Sequence, residues 1–183
     1  MNKYNPNETV YPDEVYYNKD MYLLDKRNTR IYENLRNNAK LDDEDRTQIE
    51  RAAKQYKLNP YQRNMMYAIR LAEGTKTFGV QGKIDSTDNT PRDMTDYADI
   101  TAGSIQKKWG RWKDKNVPFI TRFGKGDMSS GKPVDAWCPT EGKLTDKEKE
   151  LNRFWEPNVR FFMEELRPSD ATILRGQNET KTI

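Results

Sequence analysis

Two helix punctuation signals stand back to back between Asp42 and Gly74, and they constrain the fold more than any other feature of the chain. Asp42 is a capping residue ahead of Ile49, Ala52, Ala53 and Tyr56, whose i, i+3, i+4, i+7 spacing places them on one helical face. That helix is expected to end near Leu58. Asn59-Pro60-Tyr61-Gln62 then offers a side-chain cap, a proline at the first helical position and a glutamine at the third, able to return a hydrogen bond to the capping residue. Met65, Ile69 and Ala72 give this second helix its buried face, and Gly74 supplies the left-handed residue that ends it. Glu73 therefore falls in the last turn.

The same signals extend along the chain. Residues 1–17 are rich in Asn, Pro and Tyr without a sustained period and read as an extended arm. Across 18–38, Met21, Leu24, Ile31 and Leu35 recur at helical spacing among many charges, a narrow apolar stripe on a mostly solvated helix. Phe78, Val80 and two glycines within 76–84 read as a short β-hairpin, followed by a polar loop over 85–93. Thr101 is read as the cap of a helix carrying Ile105, Trp109 and Trp112, and Pro118-Phe119-Ile120 with Phe123 as a brief further turn; 124–144 reads as loop. Thr145 and Glu148 form a capping box ahead of Leu151, Phe154 and Trp155, and Pro157 is placed to restart a helix bearing Val159, Phe162, Met163 and Leu166 until Pro168 stops it. The expected fold class is mainly α with one small β-hairpin: an arm and peripheral helix over 1–40, a core domain over 41–167 and a polar tail over 168–183, with no internal repeat.

Composition narrows the chemistry. There is no histidine, which removes Ser-His-Asp triads, Cys-His peptidases and His-ligated zinc hydrolases together, and Cys138 is the single cysteine, so no intramolecular disulfide can form. Any hydrolysis must then be run by carboxylates, and no cofactor is expected. Hydrophobic residues make up 34% of the 183 positions and charged ones 33%, but 4 Trp, 10 Tyr and 6 Phe can supply an aromatic core under a polar skin. A net charge of +3 is too weak to imply a nucleic-acid partner. No apolar run reaches the length of a membrane span, and the opening MNKYNPNETVYPDEVYY lacks a secretion signal, so the expected route to a cell wall is packaging in a particle or passage through another protein's pore.

Glu73 carries the sharpest chemical possibility. A carboxyl at a helix C-terminus faces the negative end of the helix dipole, and with Ile69 and Ala72 beneath it desolvation adds to the same effect. Both favour the protonated form that a general acid needs. The residues alone leave two readings open, a general acid and an ordinary solvated carboxylate ending a helix.

The stretch IERAAKQYKLNPYQRNMMYAIRLAEGT, residues 49–75, resembles the opening of lytic transglycosylases and related phage lysozymes, where a helix and a Tyr-x-Leu-x-Pro connector precede a helix ending in a catalytic Glu. DMTDYADITAGSIQKKWGRW at 93–112 is similar to the segment beside the glycan groove of phage transglycosylase-like domains. WCP at 137–139, with Leu151-Asn152, Trp155 and Pro157-Asn158-Val159, looks like their closing element. The resemblance covers roughly two thirds of the chain. It implies a lysozyme-like domain that cleaves the glycan strands of peptidoglycan with Glu73 as acid, and Thr75, Gln81, Tyr97 and Asp99 as substrate-binding positions. The Phe78-Gly79-Val80-Gln81 run follows Glu73 more closely than the family's Gly-Leu-Met-Gln-type element does. A lysozyme would recruit a second carboxylate, from Asp85, Asp88, Asp96 or Asp99, whereas a transglycosylase would use the muramyl 6-hydroxyl as internal nucleophile.

Several residues keep a structural alternative. Tyr97, Trp109 and Trp112 can stack on sugar rings or pack a core, and Thr75 can hold a sugar hydroxyl or its own backbone. KKWGRWKDK at 107–115 interleaves bases and aromatics as single-strand nucleic-acid surfaces do, but a solvated amphipathic helix is the simpler reading. At the level of function, a phage virion protein acting at the host cell wall competes with a non-enzymatic virion component that keeps the fold for docking. In either case the arm and tail are the expected contacts to other virion proteins.

Overall fold

The computed structural model describes residues 40–80, 92–112 and 118–166. The arm, the helix read over 18–38 and the tail over 168–183 lie outside the described residues, as do Gln81, Asp85 and Asp88. Within them the protein is mainly helical. The helices are α1 (Asp43–Gln55), α2 (Pro60–Glu73), α3 (Met94–Trp112), α4 (Phe119–Lys125), α5 (Asp146–Asn152) and α6 (Trp155–Glu165).

The first two helices begin as their sequences dictate. Asp42 accepts a hydrogen bond from the Asp45 amide while the Asp45 carboxylate accepts one from Asp42, each 2.8 Å long. Asn59 and Gln62 repeat the exchange at the start of α2, also at 2.8 Å. These reciprocal bonds satisfy amides that the first helical turn leaves without partners. Gly74 ends α2 in the left-handed region at φ 68°, its N–H donating to the Arg70 carbonyl.

Helix α2 is the spine of the molecule. Every residue from Tyr61 to Leu71 except Arg63 is buried, and Met65, Met66, Ala68 and Ile69 are fully so. It packs chiefly on α6, whose Val159, Phe162 and Met163 are buried, while α1 lies against α3, with Ile49 and Ala52 of the one and Ala98 and Ala102 of the other in the same core. Truncating one such aliphatic side chain to Ala costs about 2–5 kcal/mol, so α2 is held from several sides. An aromatic chain closes the other end: Tyr61, Trp109, Phe119 and Phe123 follow one another with ring centroids 4.9–5.8 Å apart, and Phe123 leads on to Trp137 and Trp155.

Four local expectations are corrected. Residues 76–80 form successive turns, not the first strand of a hairpin: Phe78 and Gly79 both have positive φ, 55° and 74°, which curls the chain and drops Phe78 into the core. Helix α3 begins well before Thr101, at Met94, where Asp93 and Asp96 exchange hydrogen bonds; Thr101 is buried inside the helix with its hydroxyl donating to the Tyr97 carbonyl. Helix α6 starts at Trp155, with Pro157 inside its first turn, where a missing N–H is tolerated. The 124–144 loop contains the one β feature among the described residues, an isolated antiparallel bridge between Asp127 and Val134.

Candidate active site

Glu73 ends α2, and three features fix that end. Arg70, one turn earlier, makes a forked ion pair with the fully buried Asp45 of α1, Nε to Oδ1 at 2.7 Å and Nη2 to Oδ2 at 3.1 Å. Lys76, just beyond the cap, places its Nζ 2.7 Å from both Asp42 and Glu44 and 3.5 Å from Asp45, which depresses Asp42 to about 2 and raises Lys76. The turn over 75–79 then folds back so that Gly79 lies against the Glu73 side chain; a β-carbon built at Gly79 would sit 2.5 Å from Glu73 Cδ. The carboxyl is thereby roofed by backbone where no other residue would fit.

This setting raises the proton affinity of Glu73. Burial is the dominant cause, since it penalises the carboxylate more than the neutral acid. The indole N–H of Trp155 opposes it as a donor directed at the carboxyl, although it lacks the geometry of a full hydrogen bond. Cys138 is the other close neighbour. Burial pushes its thiol up to about 12, and the negative charge of Glu73 adds to that, so the sulfur stays protonated and inert. Its S–H lies 3.9 Å from the Asn152 carbonyl, while Asn152 donates to the Pro139 carbonyl at 2.7 Å, fastening the 137–139 segment to α5.

Beside Trp155 and Cys138 opens a pocket of about 350 Å³ between the end of α4, the loop at 138–141 and the α5–α6 junction. Gly124 lines it and packs directly on the buried Trp155 ring, where a β-carbon would lie 2.7 Å from the indole. Lys125, Thr140 and Arg153 bring donors to the walls. Glu156, also on the wall, is engaged by Arg160 at 3.0 Å and by the Thr121 hydroxyl.

The other residues singled out in the sequence are placed as follows. Thr75 is exposed and shares a 2.9 Å hydrogen bond with Thr77. Tyr97 is half-buried against the core on α3. Asp99 pairs with Arg51 across the α1–α3 contact at 3.0 Å, and Asp96 is spent in the cap of α3. Neither Tyr97 nor Asp99 shares a hydrogen bond or ion pair with Glu73. Trp112 is buried and Trp109 is packed edge-on to Phe119, so both serve the core. The 107–112 part of the basic aromatic segment is not simply solvated: Lys108 is buried with its Nζ 4.6 Å from the Phe123 centroid, 5.7 Å from Trp137 and 5.9 Å from Trp112. Desolvation lowers Lys108 to about 8.

The sequence pointed at Glu73 from its helix but not at its partners. Gly79, Cys138 and Trp155 were legible only as members of the FGVQ, WCP and closing segments. Among the described residues no cluster of Cys, Asp and Glu is arranged to hold a metal ion, and no helix is long and apolar enough to cross a membrane. Comparison with protein-family models, with curated proteins and with solved structures finds no match for this chain.

Proposed function

We propose that this protein cleaves the glycan strands of bacterial peptidoglycan, at the β-1,4 bond between N-acetylmuramic acid and N-acetylglucosamine, with Glu73 as general acid in a lysozyme-like helical domain. The observation that carries the reading is the desolvated carboxyl of Glu73, held at the end of a buried helix next to Trp155 and Cys138 and favouring its protonated form. A glycosidic oxygen is a poor leaving group until it is protonated, and an acid of raised proton affinity delivers that proton near neutral pH. As the proton moves from Glu73 to the oxygen, the bond to the anomeric carbon breaks and positive charge develops on the sugar ring. The new carboxylate faces that charge, with the Trp155 N–H directed at it. Glu73 then takes back a proton from the nucleophile that closes the reaction, either water or the sugar's own 6-hydroxyl.

The proposed setting is a phage particle acting at the host wall, with the segments before 41 and after 167 contacting other virion proteins. The test is clearing of purified peptidoglycan in a zymogram by the wild type and its loss in Glu73→Gln, with mass analysis of the released muropeptides to separate hydrolysis from anhydro-sugar formation. An inactive wild type would overturn the enzymatic reading. A non-enzymatic docking role draws on one observation, the exposed Leu151 and Phe154, 60% and 50% accessible, on and just after α5.

A further inference from the structure

Lys108 is a buried amine that glycan cleavage by Glu73 leaves unused. It is 8% exposed on α3, and three aromatic rings from three parts of the chain converge on its Nζ. Trp112 follows one turn later on the same helix, Phe123 comes from α4 and Trp137 from the loop beyond, with centroids 5.9, 4.6 and 5.7 Å from the nitrogen. Backbone hydrogen bonds hold this collar in place. The amides of Trp137 and Cys138 donate to the carbonyls of Phe123 and Gly124 at 3.0 and 2.9 Å, which fastens the loop to α4 and sets the Phe123 and Trp137 rings 5.0 Å apart.

An ammonium carries three N–H donors, and inside the collar Lys108 makes no ion pair or hydrogen bond with another described residue. Of the charged groups around it, Asp135 favours the ammonium while Arg111 and Lys107 oppose it, and Asp135 is itself held by Arg111 at 2.7 Å. Desolvation outweighs all three and brings Lys108 to about 8. At about pH 7 roughly one such amine in ten is neutral, against about one in 2,500 for an ordinary lysine. The neutral amine is the nucleophile, and lysines desolvated among apolar groups are the ones that form imines.

We infer that Lys108 is a covalent site for small aldehydes. Its nitrogen lone pair forms a bond to the carbonyl carbon, the C–O bond breaks, and both amine protons leave with the oxygen as water, so that C=N replaces C=O. The imine carries at most the single positive charge that the collar already surrounds, and the narrow opening admits only a small partner. The site is separate from the proposed glycan cleavage and stands or falls independently of Glu73.

The full chain is treated near neutral pH with formaldehyde and cyanoborohydride, which reduces each imine to a methylamine, and peptide mass mapping follows every lysine with time. Lys107, the exposed neighbour, is the internal reference. Lys108 is expected to be methylated on the order of 10-fold faster than Lys107, because the larger neutral fraction is partly offset by the lower nucleophilicity of a less basic group. The lead shrinks toward about pH 10, where ordinary lysines also lose their protons. Trp137→Leu removes one wall of the collar and brings Lys108 toward the rate of Lys107, with helical circular dichroism confirming the fold; if that variant does not fold, the wild-type ratio and its pH dependence decide. Methylation of Lys108 no faster than Lys107 near neutral pH, a lead that does not shrink with rising pH, or a lead that persists in folded Trp137→Leu overturns the inference.

Discussion

The carboxyl of Glu73 and the α-carbon of Gly79 are packed so closely that a β-carbon on Gly79 would lie 2.5 Å from Glu73 Cδ and 2.6 Å from Oε1. Gly79 also has φ 74°, a conformation that side chains resist. Gly79→Ala therefore meets two obstacles, about 1–2 kcal/mol of backbone strain and displacement of the acid. Gly74→Ala has the first obstacle alone, since φ is 68° there but nothing lies within 4 Å of the added carbon. Both variants are expected to lose stability, measured by denaturant titration, while glycan cleavage falls at least 10-fold further in Gly79→Ala. Equal activity in the two would show that the acid does not depend on its roof.

Glu73→Gln separates catalysis from stability through pH. The proton affinity of Glu73 is raised above its ordinary value of 4.5 by folding, so the stability linked to it is full at pH below that value and is lost as pH rises through the folded value. Gln stays neutral throughout. The thermal midpoint of the variant should match the wild type at about pH 4 and exceed it at about pH 8, while the rate of peptidoglycan cleavage falls on the order of 10²–10⁴. A variant less stable than the wild type at the higher pH would instead identify Glu73 as an ion-paired structural residue.

Lys108 has the opposite linkage. Desolvation lowers its folded value from 10.5 to about 8, so the unfolded chain binds more protons between these limits and stability rises with pH across that window. Lys108→Met, similar in length and without charge, should be the more stable protein at neutral pH by roughly 1–3 kcal/mol, with the difference shrinking toward pH 10. Chemical denaturation of both proteins at several pH values checks the slope. A constant difference would mean that Lys108 is not desolvated in solution.

The buried Asp45–Arg70 pair, 2.7 Å at its shorter contact, ties the start of α1 to the last turn of α2. Asp45→Ala leaves the guanidinium of Arg70 buried without its carboxylate and should cost about 3–5 kcal/mol. The double variant Asp45→Leu with Arg70→Met replaces both charges by apolar groups and should recover much of that loss. Denaturant midpoints of the single and double variants measure it; a double variant no better than the single would show that the Asp45 carboxylate stabilises through the α1 cap and Lys76 and not chiefly by compensating Arg70. Cleavage should fall along with the order of the Glu73 helix end, so activity is read at a temperature where each variant is folded.

The local part of this protein was determined by its sequence alone. Asp42 caps its helix as its position announces, Asn59 and Thr145 cap theirs with the reciprocal partners that their spacing announces, and Gly74 ends α2 where a left-handed residue was needed. These interactions span three or four residues, so backbone geometry settles them before any packing occurs. The position of Glu73 at a helix end was legible for the same reason. What surrounds it was not. Phe78 has the apolar character of a strand residue, but burial of its ring in the core drew residues 76–80 into turns, and Gly79 reached Glu73 only as a result. Thr101 carries the signature of a cap yet lies inside α3, because the Asp93–Asp96 exchange starts the helix earlier and the packing of Ala98 and Ala102 on α1 carries it through. Trp155, Cys138 and the pocket next to them come from a part of the chain distant from α2, and no periodicity specifies which side chain will meet another across a core. That meeting depends on how whole helices fit together, as α6 does on α2, and only the tertiary structure decides it.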